Sequence, residues 1–169
     1  MTELRTSDLV LRTVTKKDTG EVARMWNFEQ GGISRREAKK AIRRMRKNHR
    51  RNRPGVIHHL CFAVYEKEKD LIIGWCGLDG QCSPGKTVVF YLIDEAYRGK
   101  GYATQCAEAL LKHAFEIMRL ESVHGGCAKE NIASYKVMVK AGMAQIGSEE
   151  NGDPVFYIDK GMYLIAQKN

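Results

Sequence analysis

The alternation of apolar and polar residues along the chain predicts a protein built from short strands and amphipathic helices. Strands are indicated by apolar runs that are rich in β-branched and aromatic residues. These runs occupy residues 9–14, 58–65, 71–78, 87–94, 122–127, 144–150 and 155–165. Helices are indicated where apolar residues recur every three or four positions. These segments begin near residues 16 and 34 and cover residues 101–118 and 131–140.

Residues at the ends of these segments support the assignment. Residues 15–18 and 34–37 each have the spacing of a helix-capping box. Asn151-Gly152 lies between the last two apolar runs and is a strong signal for a hairpin turn. The predicted order is β-α-α-β-β-β-α-β-α-β-β. The strand–helix–strand unit over residues 87–127 is expected to be right-handed, with its two strands parallel.

The size and hydrophobicity of the chain favour a single globular domain. It has 169 residues, of which 43% are hydrophobic, enough for one sizeable core. No linker divides it, so we expect one domain over residues 1–169. No apolar run approaches the length needed to cross a bilayer, and the N-terminus lacks a signal-peptide pattern. We therefore expect a soluble, cytoplasmic protein without a membrane partner.

The cysteines and histidines do not form a recognisable metal-binding pattern. There are five cysteines, an odd number, and no C-x-x-C pair. Buried free thiols are therefore expected, rather than a disulfide framework or a zinc site. The five histidines lack ligand spacing such as H-E-x-x-H. We predict that the protein holds no metal ion.

The positive charge is concentrated in one predicted helix. The formal net charge is +8, yet residues 34–53 alone contain eleven Lys or Arg and one acidic residue. A basic face of this kind is typical of contacts with phosphates, although charge runs are often only solvated helix faces. A non-catalytic nucleic-acid-binding or ribosome-binding module that uses this helix is therefore one function class left open.

Residues 94–104 join a predicted strand to a predicted helix through a loop with two glycines. Gly99 and Gly101 remove side chains from the loop, while Arg98 and Lys100 add positive charge. The first N–H groups of a helix have no partners, and the helix dipole makes that end positive. The stretch therefore predicts a cradle for a pyrophosphate at the helix N-terminus.

The same stretch resembles a known family. Arg98-Gly99-Lys100-Gly101-Tyr102-Ala103 matches the R/Q-x-x-G-x-G/A pattern of the GNAT N-acetyltransferases. Further along the chain, Asn131 and Ser134 match the family's N-x-x-S, and Lys140-Ala141-Gly142-Met143 matches its K-x-G-F-like turn. The resemblance covers most of the chain and is strongest to the branch that contains ribosomal-protein N-terminal acetyltransferases.

The resemblance implies an α/β (α+β) fold with a mixed, mostly antiparallel sheet, a central parallel strand pair and helices on both faces. It also implies transfer of an acetyl group from acetyl-coenzyme A to an amine, either at a protein N-terminus or on a small molecule. In that family the two parallel strands splay apart, and the pantetheine arm of coenzyme A lies in the gap.

Roles for individual residues follow from the same resemblance. The loop residues expected at the pyrophosphate are Arg98, Gly99, Lys100, Gly101, Tyr102, Ala103 and Thr104. Backbone N–H groups near Leu92 and Ile93 would face the thioester carbonyl. Asn131 and Ser134 would touch the pantetheine arm, although Asn131 could equally be a simple helix cap.

One departure from the family pattern concerns the general acid. Many members have a tyrosine four residues before the glycine of the K-x-G-F-like turn, and this chain has Met138 there. Thioether groups cannot donate a proton. The nearby hydroxyl candidates for the acid are Ser134 and Tyr135. A coenzyme A thiolate is a fair leaving group, so an enzyme without a dedicated acid is also plausible.

A second departure concerns the general base. Many members have a glutamate on the strand before the glycine loop, and the matching position here is Val88. The candidates that could replace this carboxylate are Asp79 and His124. With neither family residue in place, a relative that binds acetyl-coenzyme A without catalysis is also left open.

The charge of the predicted basic helix indicates which kind of acceptor the protein would attract. In the GNAT fold the segment after the first strand lies beside the acceptor side of the cleft, and here that segment includes residues 34–53. A cationic polyamine would be repelled by it, whereas an acidic or phosphate-rich carrier would be attracted. The identity of the acceptor amine and the formation of a homodimer are left open.

A second glycine-containing motif, residues 80–87, fits the Walker A pattern G-x-x-x-x-G-K-[ST]. That pattern binds nucleotides where a helix begins at its Lys-Thr pair. Here the strand-like run 87–94 follows Lys86 at once. We therefore interpret residues 80–87 as a hairpin loop and predict no catalytic role for Lys86.

Overall fold

The computed structural model describes residues 2–26, 32–67, 69 and 71–167. Its strands are β1 (Glu3–Arg5), β2 (Leu9–Arg12), β3 (His59–Glu66), β4 (Ile72–Asp79), β5 (Val88–Ile93), β6 (Ser122–Gly126), β7 (Ala144–Ser148) and β8 (Pro154–Asp159). Its helices are α1 (Thr19–Met25), α2 (Arg35–His49), α3 (Tyr102–Lys112), α4 (Ile132–Lys140) and α5 (Lys160–Ala166). Within the described residues, the strands form one sheet in the order β1-β2-β3-β4-β5-β6-β8-β7, and β5–β6 is its parallel pair. The predicted mixed fold is confirmed.

Two apolar clusters hold the helices against the two faces of the sheet. On one face, α3 and α4 pack over strand residues such as Phe62 and Phe156, which are completely buried. On the other face, α1 and α2 bury Val22 and Ile42 against Trp75. Burying each such side chain stabilises the fold by about 1.5–3 kcal/mol. In the part of the chain that the structure describes, no helix is both long and apolar enough to cross a bilayer.

The parallel strands β5 and β6 are paired over only a very short stretch and then separate. Among the described residues they share one register pair, Val88 with His124. The N–H of His124 donates a 2.8 Å hydrogen bond to the carbonyl of Thr87. β5 pairs with β4 along its whole length. The sheet therefore contains a gap beside residues 89–93, where the other edge of β5 has separated from β6.

The last predicted strand, residues 155–165, is wrong in its second half. β8 ends at Asp159, whose Oδ1 accepts the N–H of Met162 at 2.8 Å and so caps α5. The helix buries Tyr163, and its ring stacks on Phe115 with the ring centroids 4.9 Å apart. A short apolar run does not distinguish a strand from a helical turn. The packing of Tyr163 decides the question.

The remaining differences from the predicted elements concern their ends. The α-helical part of the predicted segment 101–118 begins at Tyr102 and continues after Lys112 as a π-helical turn, His113–Ile117. The capping box at Ser34 begins α2, as predicted, whereas the box at Thr15 begins a 3-10 turn that leads into α1. β1 is not predicted, because three residues are too few for a periodic pattern.

Residues 80–87 form the connection between β4 and β5, as predicted. These strands are antiparallel neighbours whose register begins at Asp79 and Val88. The chain after Lys86 therefore enters a strand, not a helix. Without a helix N-terminus at this point, the Walker-like motif lacks the feature that binds phosphates.

Candidate active site

The loop between β5 and α3 is open on one side. Gly99 and Gly101 have φ values of 79° and 78°, a left-handed conformation that favours glycine. A Cβ atom built on either residue would meet no heavy atom within 4 Å. α3 begins directly after Gly101, and no described side chain caps its N-terminus. The first N–H groups of α3 are therefore available to a ligand, and the helix dipole favours an anion.

Arg98 braces this loop against its own strand. Its Nε atom donates a 3.0 Å hydrogen bond to the carbonyl of Ile93, at the end of β5. Between them, the side chain of Asp94 caps the 3-10 turn Glu95–Tyr97 by accepting the N–H of Ala96 at 3.0 Å. Arg98 also lines the neighbouring cavity. Its guanidinium group therefore holds the loop to β5 and adds positive charge to the cavity.

Lys100 and Tyr102 point toward Glu66 at the end of β3. The hydroxyl of Tyr102 donates to Glu66 Oε1 at 2.6 Å, and Lys100 Nζ lies 3.7 Å from the same oxygen. Lys69 pairs with the other oxygen of this carboxylate. Hydrogen bonds from Lys69 and Tyr102 lower the pKa of Glu66, while the bond to Glu66 raises the pKa of Tyr102 to about 12. The two loop residues thus anchor the loop to the sheet.

A cavity of about 570 Å³ lies between the loop and α4. The predicted cofactor residues that line it are Leu92, Ile93, Arg98, Gly99, Gly101, Tyr102, Ala103, Thr104, Asn131 and Ser134. Its lining also includes Tyr91, Lys136 and Lys140, which are not predicted from the sequence. The two lysines are four residues apart, so they share one face of α4 with the cavity. This four-residue spacing is the signal in the sequence from which a basic face of α4 could have been predicted.

The backbone of β5 offers hydrogen-bonding groups to the gap at alternate residues. The N–H of Asp94 donates to the carbonyl of Ile73 at 2.9 Å, on the β4 side. Because these groups alternate along an antiparallel strand, Leu92 also pairs toward β4, while Tyr91 and Ile93 turn theirs toward the gap. Ile93 thus has the expected orientation, whereas the backbone of Leu92 is paired with β4, and this residue is 42% exposed.

Asn131 and Ser134 lie at the N-terminus of α4. The Oδ1 atom of Asn131 accepts the N–H of Ser134 at 3.0 Å, so this residue caps the helix. The Oγ atom of Ser134 lies 2.9 Å from the hydroxyl of Tyr91. That tyrosine also donates to the carbonyl of Ser134 at 3.1 Å. The expected hydroxyl at residue 134 is therefore at the cavity, together with a second hydroxyl group from β5.

Tyr135, the other predicted hydroxyl candidate, faces away from this cavity. Its hydroxyl donates to Gln145 Oε1 at 3.0 Å, and its ring packs edge-on against Phe156. Met138 is also turned to the core, where it is 2% exposed and lies against Gly125 of β6. Residue 135 therefore has a packing role in the structure, and we do not retain it as a proton donor.

A second cavity, of about 410 Å³, lies on the face of the sheet that α1 and α2 cover. Residues that line it include Trp26, Arg44, His59, Trp75, Asp79 and Phe90. Asp79, a predicted candidate for the general base, is thus part of this cavity. His124, the other candidate, packs against Tyr157 with ring centroids 5.2 Å apart, and burial lowers the pKa of its ring.

Sequence comparison identifies a family for most of the chain. The profile described as the acetyltransferase (GNAT) domain matches residues 8–144. The uncharacterized N-acetyltransferase YnaD of Bacillus subtilis is 34% identical over 92 residues, which are 54% of this chain and 45% of YnaD. The chain spans about half the length of the curated relatives that it matches.

Solved structures share the fold at low identity. The ribosomal-protein-S5-alanine acetyltransferase from Vibrio fischeri has a TM-score of 0.79 and 16% identity, with 94% of this chain and 97% of that one covered. RimL, the ribosomal L7/L12 alpha-N-protein acetyltransferase in complex with coenzyme A, has a TM-score of 0.73 and 14% identity, with 94% and 98% covered. With the profile match, the glycine loop and the splayed strands, the chain belongs to the GNAT acetyltransferase family.

Proposed function

We propose that this protein binds acetyl-coenzyme A in the cavity between the glycine loop and α4, and transfers the acetyl group to an amine. The observation that carries the proposal is the open loop at the start of α3, which lies beside the gap between β5 and β6. The loop offers unpaired N–H groups to a pyrophosphate, and the gap offers the backbone of Tyr91 and Ile93 to the amide groups of pantetheine.

The charges around the cavity fit this cosubstrate. Gly99 and Gly101 leave space for a bulky anion, and Arg98 lies beside them. Lys136 and Lys140 add two cations on the facing side of the cavity. When bound, acetyl-coenzyme A supplies an acetyl group activated as a thioester. Holding the phosphates at several points would orient that group and lower the entropic part of the barrier.

Ser134 is the proposed proton donor to the sulfur that leaves. Its hydroxyl lines the cavity and lies 2.9 Å from the hydroxyl of Tyr91. Burial raises the pKa of Tyr91 to about 12, so this hydroxyl stays protonated at neutral pH and can replace a proton that Ser134 gives up. Two hydroxyl groups, one from β5 and one from α4, would thus act as the general acid in place of the family's tyrosine, whose position Met138 occupies.

The acceptor is proposed to be an amino group on an acidic polypeptide, bound on the face that α1 and α2 cover. The basic residues 35, 36, 39, 40, 43, 44, 46, 47 and 50 are all exposed on or directly after α2. Arg44 brings this charge to the rim of the second cavity. Two structural neighbours are named for acetylating ribosomal proteins, whereas a cationic polyamine would be repelled by α2. A module that only binds nucleic acid is not favoured, since the cofactor cavity would then have no purpose.

The proposed compartment is the cytoplasm. All of the cysteines in the chain are free thiols, namely Cys61, Cys76, Cys82, Cys106 and Cys127. Free thiols persist in a reducing compartment, and an acceptor on a ribosomal or similar protein would be found there too.

Calorimetry with acetyl-coenzyme A and a thiol-release assay test the proposal together. The probe acceptor is a ten-residue peptide with a free serine amino terminus followed by aspartates and glutamates. We expect saturable binding of acetyl-coenzyme A and release of free thiol that depends on the peptide. A matched peptide with lysines in place of the acidic residues should react at least about tenfold more slowly. Absence of acetyl-coenzyme A binding would overturn the proposal, and equal rates with both peptides would overturn the acidic acceptor.

A further inference from the structure

Four residues from neighbouring strands lie side by side in one row of the sheet. The register pairs His59 with Asp79, Asp79 with Val88, and Val88 with His124. Directly paired residues point to the same face of a sheet. The row therefore runs along the face that α1 and α2 cover and reaches the point where β5 and β6 separate. The position where the family resemblance would put a carboxylate, Val88, is next to a carboxylate on the adjacent strand.

The side chains of His59 and Asp79 are held together at the wall of the second cavity. His59 Nδ1 lies 3.4 Å from Asp79 Oδ2, and the two side chains are 28% and 26% exposed. The other oxygen, Oδ1, accepts the N–H of Gln81 at 2.8 Å, which fixes the carboxylate. The imidazole ring stacks on Phe90, with centroids 5.6 Å apart and planes inclined by 13°. The ring is therefore oriented on two sides before any substrate binds.

We propose that His59, oriented by Asp79, is the general base that takes the proton from the acceptor ammonium group. This rests on the proposed function and names the acid–base residues of its acceptor side. An N–H at Nδ1 that faces a carboxylate leaves the lone pair at Nε2, the ring nitrogen that remains for a substrate in the cavity. Amino groups are largely protonated at neutral pH, and an amine must lose a proton before its nitrogen can attack.

The proton and electron balance of the step is complete with these groups. The ammonium nitrogen gives one proton to His59 Nε2, and its freed lone pair forms the bond to the acetyl carbonyl carbon. The C–S bond breaks, and its electron pair remains on sulfur. The second proton lost by the nitrogen passes to water, and an equivalent proton returns through Tyr91 or water to Ser134, which has donated its own proton to sulfur. His59 then releases its proton to solvent.

Two charged residues line the cavity together with His59. Asp79 from β4 would stabilise the imidazolium that forms in the reaction, whereas the positive charge of Arg44 from α2 would oppose it. Phe90 from β5 and Trp75 from β4 add uncharged walls. His124 is a weaker candidate, because its ring is packed against Tyr157 and does not line this cavity.

The test compares His59→Gln and Asp79→Asn with a matched control, His58→Gln, in the complete chain. His58 is the adjacent residue and lies before β3, outside the cavity. The acidic peptide described above and acetyl-coenzyme A are the substrates, and kcat, both KM values and acetyl-coenzyme A affinity are measured. We expect His59→Gln to lower kcat by about 100-fold and Asp79→Asn by about tenfold. Acetyl-coenzyme A affinity should stay within about twofold in every variant, and His58→Gln should retain wild-type turnover.

The pH profile separates a base from a merely structural histidine. In the wild type, the logarithm of kcat/KM should rise with a slope of about one at low pH and level off before the pH at which the peptide amine loses its proton, because neutral His59 accepts that proton from the ammonium group. In His59→Gln the rise should continue up to the pH at which the amine itself loses its proton, since only the free amine can then attack. A double variant carries Val88→Glu in addition to His59→Gln. Recovery of turnover in this variant would support the proposal that the general base is supplied from this row of the sheet.

The opposite results are equally informative. Turnover within about twofold of wild type in His59→Gln, with an unchanged pH profile, would overturn the assignment. Equal losses in His58→Gln and His59→Gln would also overturn it, since only one of them lies in the cavity. Binding of acetyl-coenzyme A without any acetylation of the peptide by the wild type would instead overturn the proposed acceptor, and the role of His59 with it.

Discussion

The hydroxyl groups of Tyr91 and Ser134 lie 2.9 Å apart and connect β5 to α4 beside the cofactor cavity. The two residues are 43 positions apart in the sequence. Their contact places a pair of protonated hydroxyl groups at a site where the family pattern would supply a tyrosine from α4. With Met138 buried in the core, this pair of hydroxyl groups is the proposed source of the proton.

Replacing Ser134 by alanine should slow acetyl transfer. We expect kcat with the acidic peptide to fall by roughly ten- to a thousand-fold, around the range for general acid–base residues. Tyr91→Phe should cause a smaller loss, because Ser134 can still donate its proton and recover it from water. Ser148→Ala on exposed β7 is the control and should have no effect on kcat. A loss under twofold in Ser134→Ala would mean that the thiolate leaves without help from this residue.

Replacing Gly101 by valine should abolish binding of acetyl-coenzyme A. The side chain would enter the open side of the loop, and the positive φ of 78° would strain any residue with a Cβ. Gly85→Val is a matched control, because Gly85 has a φ of 71° and equally open surroundings but lies in the loop between β4 and β5. Calorimetry should show lost affinity in the first variant alone. Similar affinities in two folded variants would show that the loop is not the phosphate cradle.

Removing charge from the middle of α2 should weaken binding of the acceptor and leave binding of acetyl-coenzyme A unchanged. The substitutions to glutamine are at Arg43, Arg44, Arg46 and Lys47. We expect KM for the acidic peptide to rise and its dependence on salt to flatten, because steering by α2 is electrostatic. KM for acetyl-coenzyme A should hardly change.

A second fourfold variant controls for the loss of net charge. Its substitutions to glutamine are at the exposed residues Arg5, Lys67, Lys112 and Lys160. This variant should keep the wild-type KM for the peptide. If the α2 variant also keeps it at low salt, the helix is a solvated face and the acceptor binds elsewhere.

Asp18 should make the stability of the fold depend on pH. It accepts hydrogen bonds of 3.1 and 2.8 Å from Arg12 and one from the N–H of Thr15. Burial opposes the charged form, but these hydrogen bonds outweigh it and lower the pKa of Asp18. A carboxyl whose pKa is lower in the folded state contributes its stability above its unfolded pKa, and this contribution is lost as the pH falls through the folded value.

Chemical denaturation of Asp18→Asn measures this contribution. The free energy of unfolding at pH 7 should fall by about 3 kcal/mol, because Arg12 loses its buried partner. The decline of stability below about pH 4 should also become shallower than in the wild type. Glu37→Gln, in the exposed capping box of α2, should cost less. Equal pH profiles for the wild type and Asp18→Asn would contradict this account.

Several features of the protein were determined by the sequence alone, because they depend on residues close together in the chain. The capping box at Ser34 begins a helix, Asn151-Gly152 turns the last hairpin, and Lys86 leads into a strand. The glycine loop belongs to the same class. A left-handed backbone at Gly99 and Gly101, followed at once by a helix, is a local property that predicts an anion site.

The tertiary structure alone decided which side chains meet at the site. Lys100 and Tyr102 contact Glu66, and Tyr135 donates a hydrogen bond to Gln145. These partners are distant in the sequence or lie on another element. The end of β8 likewise depends on the packing of Tyr163 in the core.

The proposed acceptor side shows most clearly why the tertiary structure was needed. His59 and Asp79 become neighbours because β3 and β4 pair in one register, and a shift by one residue would send either side chain to the opposite face. Strand register is set by the burial of whole faces and by long-range pairing. No local pattern around His59 contains that information, whereas the proposed pyrophosphate loop is complete within a few consecutive residues.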